Sequence, residues 1–204
     1  MMSKTLRAAS WGLALMTVPI VALVAPSGPA SASPTLPVHY TVNASTTLAT
    51  LHQTVTVPPG SFTGTIDLGN GALRGDLSLP PATTTVGLAG VGLAQATFQL
   101  APTRPVVGTV DFATLAVTAT STFDVLVTSV EPLGLPINLV GASCGTSSPV
   151  SVTFTGTFSL SGPSSFAGQY TIPPLKRCGL LTPALNVVIP GPGNQFTARF
   201  SPNA

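Results

Sequence analysis

The feature that most constrains this fold is a period-two alternation of apolar and polar side chains, which begins after residue 33. Val38, Tyr40 and Val42 alternate with polar neighbours, and the stretch 61–68 repeats the pattern. Successive side chains of a strand point to opposite faces, so this period is typical of strands with one buried face. No stretch after residue 33 carries a long helical period. The sequence therefore predicts an all-β protein.

Glycine, proline and asparagine residues divide the pattern into short segments. Gly69-Asn70-Gly71 predicts a hairpin turn between 61–68 and 73–79, because these residues tolerate positive φ. A single short helix is predicted near 182–188, with Thr182 as its cap and Pro183 in its first turn. The remaining predicted strands are 83–88, 93–100, 105–112, 114–119, 122–130, 136–140, 150–160, 166–172 and 194–200.

Many short strands with few helices between them are typical of antiparallel sheets. We expect a two-sheet β-sandwich of roughly 10–13 short strands. The alternative is a closed up-and-down β-barrel, which would also remove exposed sheet edges. A phenylalanine/valine–glycine–threonine phrase occurs at 62–68, 107–112 and 154–160. It is either an internal duplication or a chance echo of a simple composition.

The first 32 residues are predicted to be a signal peptide rather than part of the fold. Lys4 and Arg7 precede an apolar run at 11–25, and Ala30-Ser31-Ala32 is an A-x-A cleavage signal. The run is shorter than the roughly 20 residues of a membrane span. We expect cleavage between Ala32 and Ser33, leaving residues 33–204 as one secreted, extracellular domain without a membrane span.

Charge and cysteine content narrow the possible roles of this domain. Removal of Lys4 and Arg7 leaves five basic and five acidic residues, and only Lys176-Arg177 are adjacent cations. Nucleic-acid binding needs clustered cations and is excluded. Lys176-Arg177 fit either a small anionic contact or a solvated loop. Cys144 and Cys178 are expected to form a disulfide in an oxidising compartment.

Several motifs match catalytic patterns in part, and none satisfies the chemistry it would need. Gly141-Ala142-Ser143-Cys144-Gly145 matches G-x-S-x-G, but loop composition follows Ser143 and both histidines precede it. The glycines of 87–92 lack dinucleotide-binding spacing. Asn43-Ala44-Ser45 is a formal glycosylation sequon. His39 and His52 are the candidates for a metal site. A glycosidase pair would come from the aspartates Asp67, Asp76, Asp111 and Asp124. Asp67 could instead form a surface contact with Arg74 across the first hairpin.

The chain resembles uncharacterised secreted β-rich proteins of high-GC Gram-positive bacteria (actinobacteria). The resemblance lies in Pro173-Pro174, in Cys178-Gly179-Leu180-Leu181-Thr182-Pro183 and in Pro190-Gly191-Pro192-Gly193-Asn194, together with the leader. It implies secretion and a cysteine pair, and it carries no known activity.

These observations predict a secreted, non-catalytic module with no catalytic residue, cofactor or metal. It would be structural, surface-associated or protein-binding, with a protein or cell-envelope component as its partner. The alternative is an extracytoplasmic carrier of an apolar ligand such as a lipid, because the domain is rich in apolar residues and poor in charge.

Overall fold

The computed structural model describes residues 33–88, 91–159 and 162–202, and the predicted signal peptide at 1–32 lies outside these ranges. Residues 33–204 form one compact unit. The strands are β1 (Thr35–Leu48), β2 (Gln53–Asp67), β3 (Ala72–Ser78), β4 (Ala82–Leu88), β5 (Val91–Val110), β6 (Ala116–Pro132), β7 (Gly145–Thr146), β8 (Val150–Thr157), β9 (Ser164–Ile172), β10 (Leu175–Lys176) and β11 (Gly191–Pro202). A 3₁₀ turn at Gly179–Leu181 leads into helix α1 (Thr182–Val188).

Eight of the strands close into an antiparallel barrel. Its order is β1, β2, β3, β5, β6, β8, β9 and β11, and β11 pairs with β1 to complete the ring. β4 pairs with the first part of β5, while β7 and β10 form a two-residue ladder beside β6. The expected two-sheet sandwich is therefore replaced by the barrel alternative. The reason is the long pairing of β5 with β6, from Ala94↔Pro132 to Val110↔Val117, which joins what would otherwise be two sheet edges.

Period-two burial is confirmed along the barrel strands. In β6, Val117, Ala119 and Phe123 face the interior and are buried, while the intervening threonines lie on the outer surface. Outer threonines pair across neighbouring strands, as in the hydroxyl contacts Thr47–Thr54 (2.9 Å) and Thr83–Thr97 (3.1 Å). Hydroxyl groups thus supply much of the polar surface that charged residues supply in most proteins.

The threefold glycine phrase has a common position in the barrel. Gly64, Gly108 and Gly156 lie near the ends of β2, β5 and β8, three strands that run in the same direction. A Cβ on each would lie 2.6, 2.4 and 2.3 Å, respectively, from a carbonyl oxygen of the neighbouring strand. These glycines therefore allow close strand approach at one end of the barrel.

The helix prediction at 182–188 is confirmed by α1, with Pro183 in its first turn. The predicted capping by Thr182 is wrong: the helix N-cap is Leu181, and the Thr182 hydroxyl donates to the Gly179 carbonyl and accepts from the Cys178 N–H. The predicted strand 136–140 is also wrong, because this segment forms a loop. Within the described ranges, no helix has both the length and the apolar character required to span a bilayer.

Candidate interaction surface

The two ends of the barrel differ in construction. The turn end carries the tight connections after β2 and β5, where Asp67 and Asp111 lie. The cap end, opposite, carries the longer segments 133–149 and 173–190. The predicted disulfide Cys144–Cys178 is confirmed there.

Both cysteines are buried, and the ladder between β7 and β10 continues the connection. Asn186 of α1 ties the helix to this ladder, since its side chain accepts from the Leu175 N–H (2.6 Å) and donates to the Leu175 carbonyl (3.0 Å). The cap end is thus fixed by a covalent bond and by hydrogen bonds.

The most unusual feature of the cap end is an exposed apolar loop, residues 133–139, here called the cap loop. Its four large side chains are 44–57% exposed: Leu133, Leu135, Ile137 and Leu139. Three backbone hydrogen bonds hold the loop: the N–H groups of Leu135, Ile137 and Leu139 donate to the carbonyls of Pro132 (3.0 Å), Leu135 (2.8 Å) and Val130 (2.9 Å), respectively. The side chain of Asn138 also ties the loop to its flanking residues. Its Oδ1 accepts from the N–H groups of Val130 and Val140 (both 3.1 Å), and its Nδ2 donates to the Thr128 carbonyl (3.0 Å).

Two further apolar side chains project at the same end of the barrel. Leu180 is 98% exposed on the 3₁₀ turn, and Val187 is 75% exposed on α1. The four large cap-loop side chains together with Leu180 and Val187 are called the cap surface. Exposed apolar side chains scattered singly are ordinary. Four others among the described residues, Leu36, Leu68, Val107 and Phe112, are 44–48% exposed. The cap end differs from them in the much higher exposure of Leu180 and Val187, and in a loop that carries four such side chains in seven residues, which indicates an interaction site.

The charges at the cap end are mainly positive. Lys176 and Arg177 directly precede the disulfide, and the Lys176 Nζ donates to the Ser147 carbonyl (3.0 Å). Glu131 is the acidic residue at this end, and its carboxylate accepts from the Ser129 hydroxyl (2.8 Å). No Asp or Glu follows Glu131 in the sequence. The cap loop and the segment 173–190 therefore contain no carboxylate side chain.

Sequence reasoning missed the cap loop because it interpreted 136–140 as a strand. Two signals were present: the uncharged stretch of residues 132–175, and Gly134 with Pro136 inside the apolar run. Proline removes a backbone donor and disfavours a central strand. Together these signals indicate an apolar segment that cannot join the sheet.

The structure does not give Ser143 the surroundings of a hydrolase nucleophile. Ser143 lies in a turn closed by the Cys144 N–H and the Gly141 carbonyl (3.1 Å), and it is followed by the short strand β7. A nucleophile elbow needs a strand before the serine and a helix after it. Cys144 is committed to the disulfide.

The two histidines lie far apart along the barrel wall. His39 is on the outer face of β1 opposite Thr63, and His52 lies in the turn after β1 with φ of 51°. Nine residues of strand separate His39 from Leu48, about 30 Å at the usual rise per residue. Across the described residues, no cluster of three or more His, Cys, Asp or Glu side chains could hold a metal ion.

The aspartates serve local turns or lie on the outer wall. Asp67 Oδ1 accepts from the Gly69 N–H (2.7 Å), and Arg74 stands opposite Thr65, not Asp67. Asp111 Oδ1 accepts from Ala113 (2.8 Å) and Thr114 (3.1 Å) backbone N–H groups. These bonds, that from Thr114 foremost, lower the pKa of Asp111. Asp76 lies opposite Thr63 and Asp124 opposite Ala101 in the sheet.

The structure also shows where the remaining sequence motifs lie. Asn43 of the sequon is exposed on β1 opposite Arg199, and the Ser45 hydroxyl contacts the Thr197 hydroxyl (2.8 Å). Of the glycine-rich stretch 87–92, residues 89–90 lie outside the described ranges, and Gly87 pairs with Gly92 at the tip of the β4–β5 hairpin.

The barrel interior is filled mainly by side chains. A cavity of about 60 Å³ lies inside the turn end, and its wall includes the half-buried rings of Tyr40, Phe158, Phe166 and Phe200. These rings meet edge to face, with centroids 5.1 Å apart for Phe166–Phe200 and 6.3 Å for Tyr40–Phe158. Two smaller cavities, of about 40 and 10 Å³, lie farther along the interior.

The fold and the cap surface define a class only at the level of architecture: a closed antiparallel eight-stranded barrel with a disulfide-fixed, apolar end. No family model, curated protein or solved structure matches the chain.

Proposed function

We propose that this protein is an exported, non-catalytic β-barrel module that attaches to a protein or a cell-envelope surface through its cap surface. The carrying observation is the cap loop, whose four large aliphatic side chains are 44–57% exposed on a backbone held by its own hydrogen bonds and tied to flanking residues by Asn138. A fixed apolar segment loses little conformational entropy on binding, so its burial favours association.

Export is supported by the predicted leader and by the formation of the disulfide, since disulfides persist in oxidising compartments. A non-catalytic role is supported by the turn around Ser143 and by the local hydrogen bonds that occupy Asp67 and Asp111. The outer wall of the barrel presents mainly threonine and serine. In the described part of the chain, the large apolar side chains exposed outside the cap end are at most 48% exposed, less than Leu180 and Val187.

The proposal is tested by secretion of the full chain, followed by separation of culture medium from cell envelope. The wild-type protein should be recovered with the envelope, or with a captured envelope protein. Ile137→Asp combined with Leu180→Asp should shift it to the medium. The matched control is Leu68→Asp with Phe112→Asp, which places the same charges at exposed positions of the turn end. Equal envelope recovery of all three proteins would contradict the proposal.

A second candidate function, carriage of an apolar ligand inside the barrel, is favoured by the cavity at the turn end. Its wall is apolar, and the half-buried state of Tyr40 and Phe158 leaves it close to solvent. The volume of this cavity is about 60 Å³, whereas ligand pockets generally have volumes of about 300 Å³ or more. Carriage is therefore the second candidate. Native mass spectrometry of the gently purified protein tests it. A bound apolar mass that disappears in Val106→Phe would support carriage, and a bare protein mass would contradict it.

A further inference from the structure

Two adjacent cations, Lys176 and Arg177, precede Leu180 of the cap surface in the same segment, and this combination indicates the chemistry of its partner. Leu180 projects almost fully into solvent three residues after Arg177. The cap loop contributes leucine and isoleucine from a second segment at the same end of the barrel. An apolar group flanked by lysine and arginine is the arrangement by which peripheral proteins enter the interface of anionic membranes.

We propose that the cap surface binds a lipid bilayer that contains anionic lipids, with the cap loop and Leu180 entering the interface and Lys176-Arg177 meeting the headgroups. This proposal rests on the proposed function, because it names the surface to which the module attaches.

The absence of carboxylate side chains from the entering segments supports this orientation. All five acidic residues of the sequence lie at or before Glu131, whereas the cap loop and 173–190 come after it. No carboxylate of these segments would need to be neutralised or brought close to anionic headgroups. At the turn end, by contrast, Asp67 and Asp111 lie in the exposed turns, where they offset the nearby cations Arg74 of β3 and Arg199 of β11. The electrostatic attraction therefore directs the cap end, rather than the turn end, toward an anionic bilayer.

The composition of the cap surface favours lipid over a protein partner. Its six members are leucine, isoleucine and valine. Protein interfaces concentrate their binding free energy in tryptophan, tyrosine and arginine packed in pockets. Aliphatic side chains on projecting loops need no shaped partner, since acyl chains adapt to them. The fixed backbone of the cap loop keeps these side chains displayed before contact.

The absence of tryptophan from residues 33–204 provides a direct readout of insertion. The single tryptophan of the sequence is Trp11, within the predicted leader. Leu135→Trp and Leu180→Trp therefore place a unique fluorophore in the cap loop and on the 3₁₀ turn of the processed chain. Phe112→Trp gives a matched reporter in the exposed turn after β5 at the opposite end.

The processed chain, collected oxidised from a secreting host, is mixed with phosphatidylcholine vesicles with and without phosphatidylglycerol. With phosphatidylglycerol, the emission of the Leu135→Trp and Leu180→Trp reporters should shift to the blue and be quenched by brominated acyl chains, while the Phe112→Trp reporter should not respond. In co-sedimentation, Ile137→Asp with Leu180→Asp should weaken binding by about tenfold or more. Lys176→Glu with Arg177→Glu should do the same, and Arg74→Glu should not.

Several results would overturn the proposal. It fails if no vesicle binds, if neutral and anionic vesicles bind equally, or if the reporter at position 112 shifts like those at 135 and 180. Loss of envelope association in Ile137→Asp/Leu180→Asp, without vesicle binding by the wild type, would reject lipid as the partner while keeping the proposed attachment function. Unchanged circular dichroism and thermal midpoints confirm that each variant is folded.

Discussion

The disulfide between Cys144 and Cys178 provides the most quantitative test of how the cap end is held. It closes a loop of 34 residues. In the chain-entropy model, a cross-link of this span lowers the entropy of the unfolded chain and so raises the free energy of unfolding by about 3.8 kcal/mol at 25 °C. For a domain of this size, each kcal/mol corresponds to roughly 2–4 °C in thermal midpoint. Reduction of the disulfide should therefore lower the midpoint by about 8–15 °C.

The cleanest measurement compares the oxidised wild type with wild type that has been reduced in denaturant and refolded with a phosphine reductant. Both proteins keep the same sulfur atoms, so the difference isolates the covalent link. Cys144→Ala with Cys178→Ala adds a packing loss, because both side chains are buried, and should lie at or below the reduced wild type. Differential scanning calorimetry gives all three midpoints.

The position of the disulfide also predicts where stability is lost. β7 and β10 contain two residues each, so their ladder alone holds the two cap segments together weakly. On reduction, amide exchange should accelerate in 141–148 and 173–181, while the long ladders of β1 with β2 and β11 keep their protection. Midpoints within about 3 °C of each other, or uniform loss of protection over the barrel, would refute this reasoning.

Two further predictions concern the barrel wall and interior. Burial raises the pKa of both tyrosines, and for Tyr170 it does so against the opposing hydrogen bond to Thr46 (2.6 Å). The folded phenols therefore keep their protons above the ordinary pKa of 10.0, and the stability that they contribute below this pH is lost as pH rises through the raised pKa. In an alkaline titration followed by absorbance, tyrosinate should form at a higher pH in the native chain than in the urea-unfolded chain. Coincident titration curves would contradict this prediction. Gly108→Ala should lower the free energy of unfolding by about 1–3 kcal/mol in urea, since the new Cβ would lie 2.4 Å from the Thr118 carbonyl oxygen. Gly141→Ala, whose new Cβ would have nothing within 4 Å, should leave it unchanged. Equal urea midpoints for the two variants would be inconsistent with the close strand approach.

Residue patterns predicted the local structure well where one interaction dominates. Alternation along β1 and β2 identified their buried faces, because burial of apolar side chains decides which face turns inward. The lone cysteine pair predicted the disulfide, and Pro183 marked the first turn of α1. The candidate interaction surface was harder to predict from the sequence. The adjacent cations Lys176-Arg177 indicate an anionic contact, whereas the apolar run of the cap loop resembles a strand.

The hydrogen bonds of the cap loop show why it is not a strand. The side chain of Asn138 bonds to the backbone at Thr128, Val130 and Val140, and these bonds replace a strand ladder. Such competition depends on the return path of the chain beside β6, which no local pattern contains.

The sequence by itself determined the strand character, the inward faces and the paired cysteines, since each depends on neighbouring residues or on a unique partner. The tertiary structure alone decided that the sheet closes into a barrel and that the aliphatic side chains of the cap end stay exposed. Closure depends on which strands meet: β5 lies along β6, and β11 along β1. A period-two pattern specifies which face of each strand is buried, but it does not specify which strand lies beside it. The neighbouring strand is decided by long-range pairing in the tertiary structure.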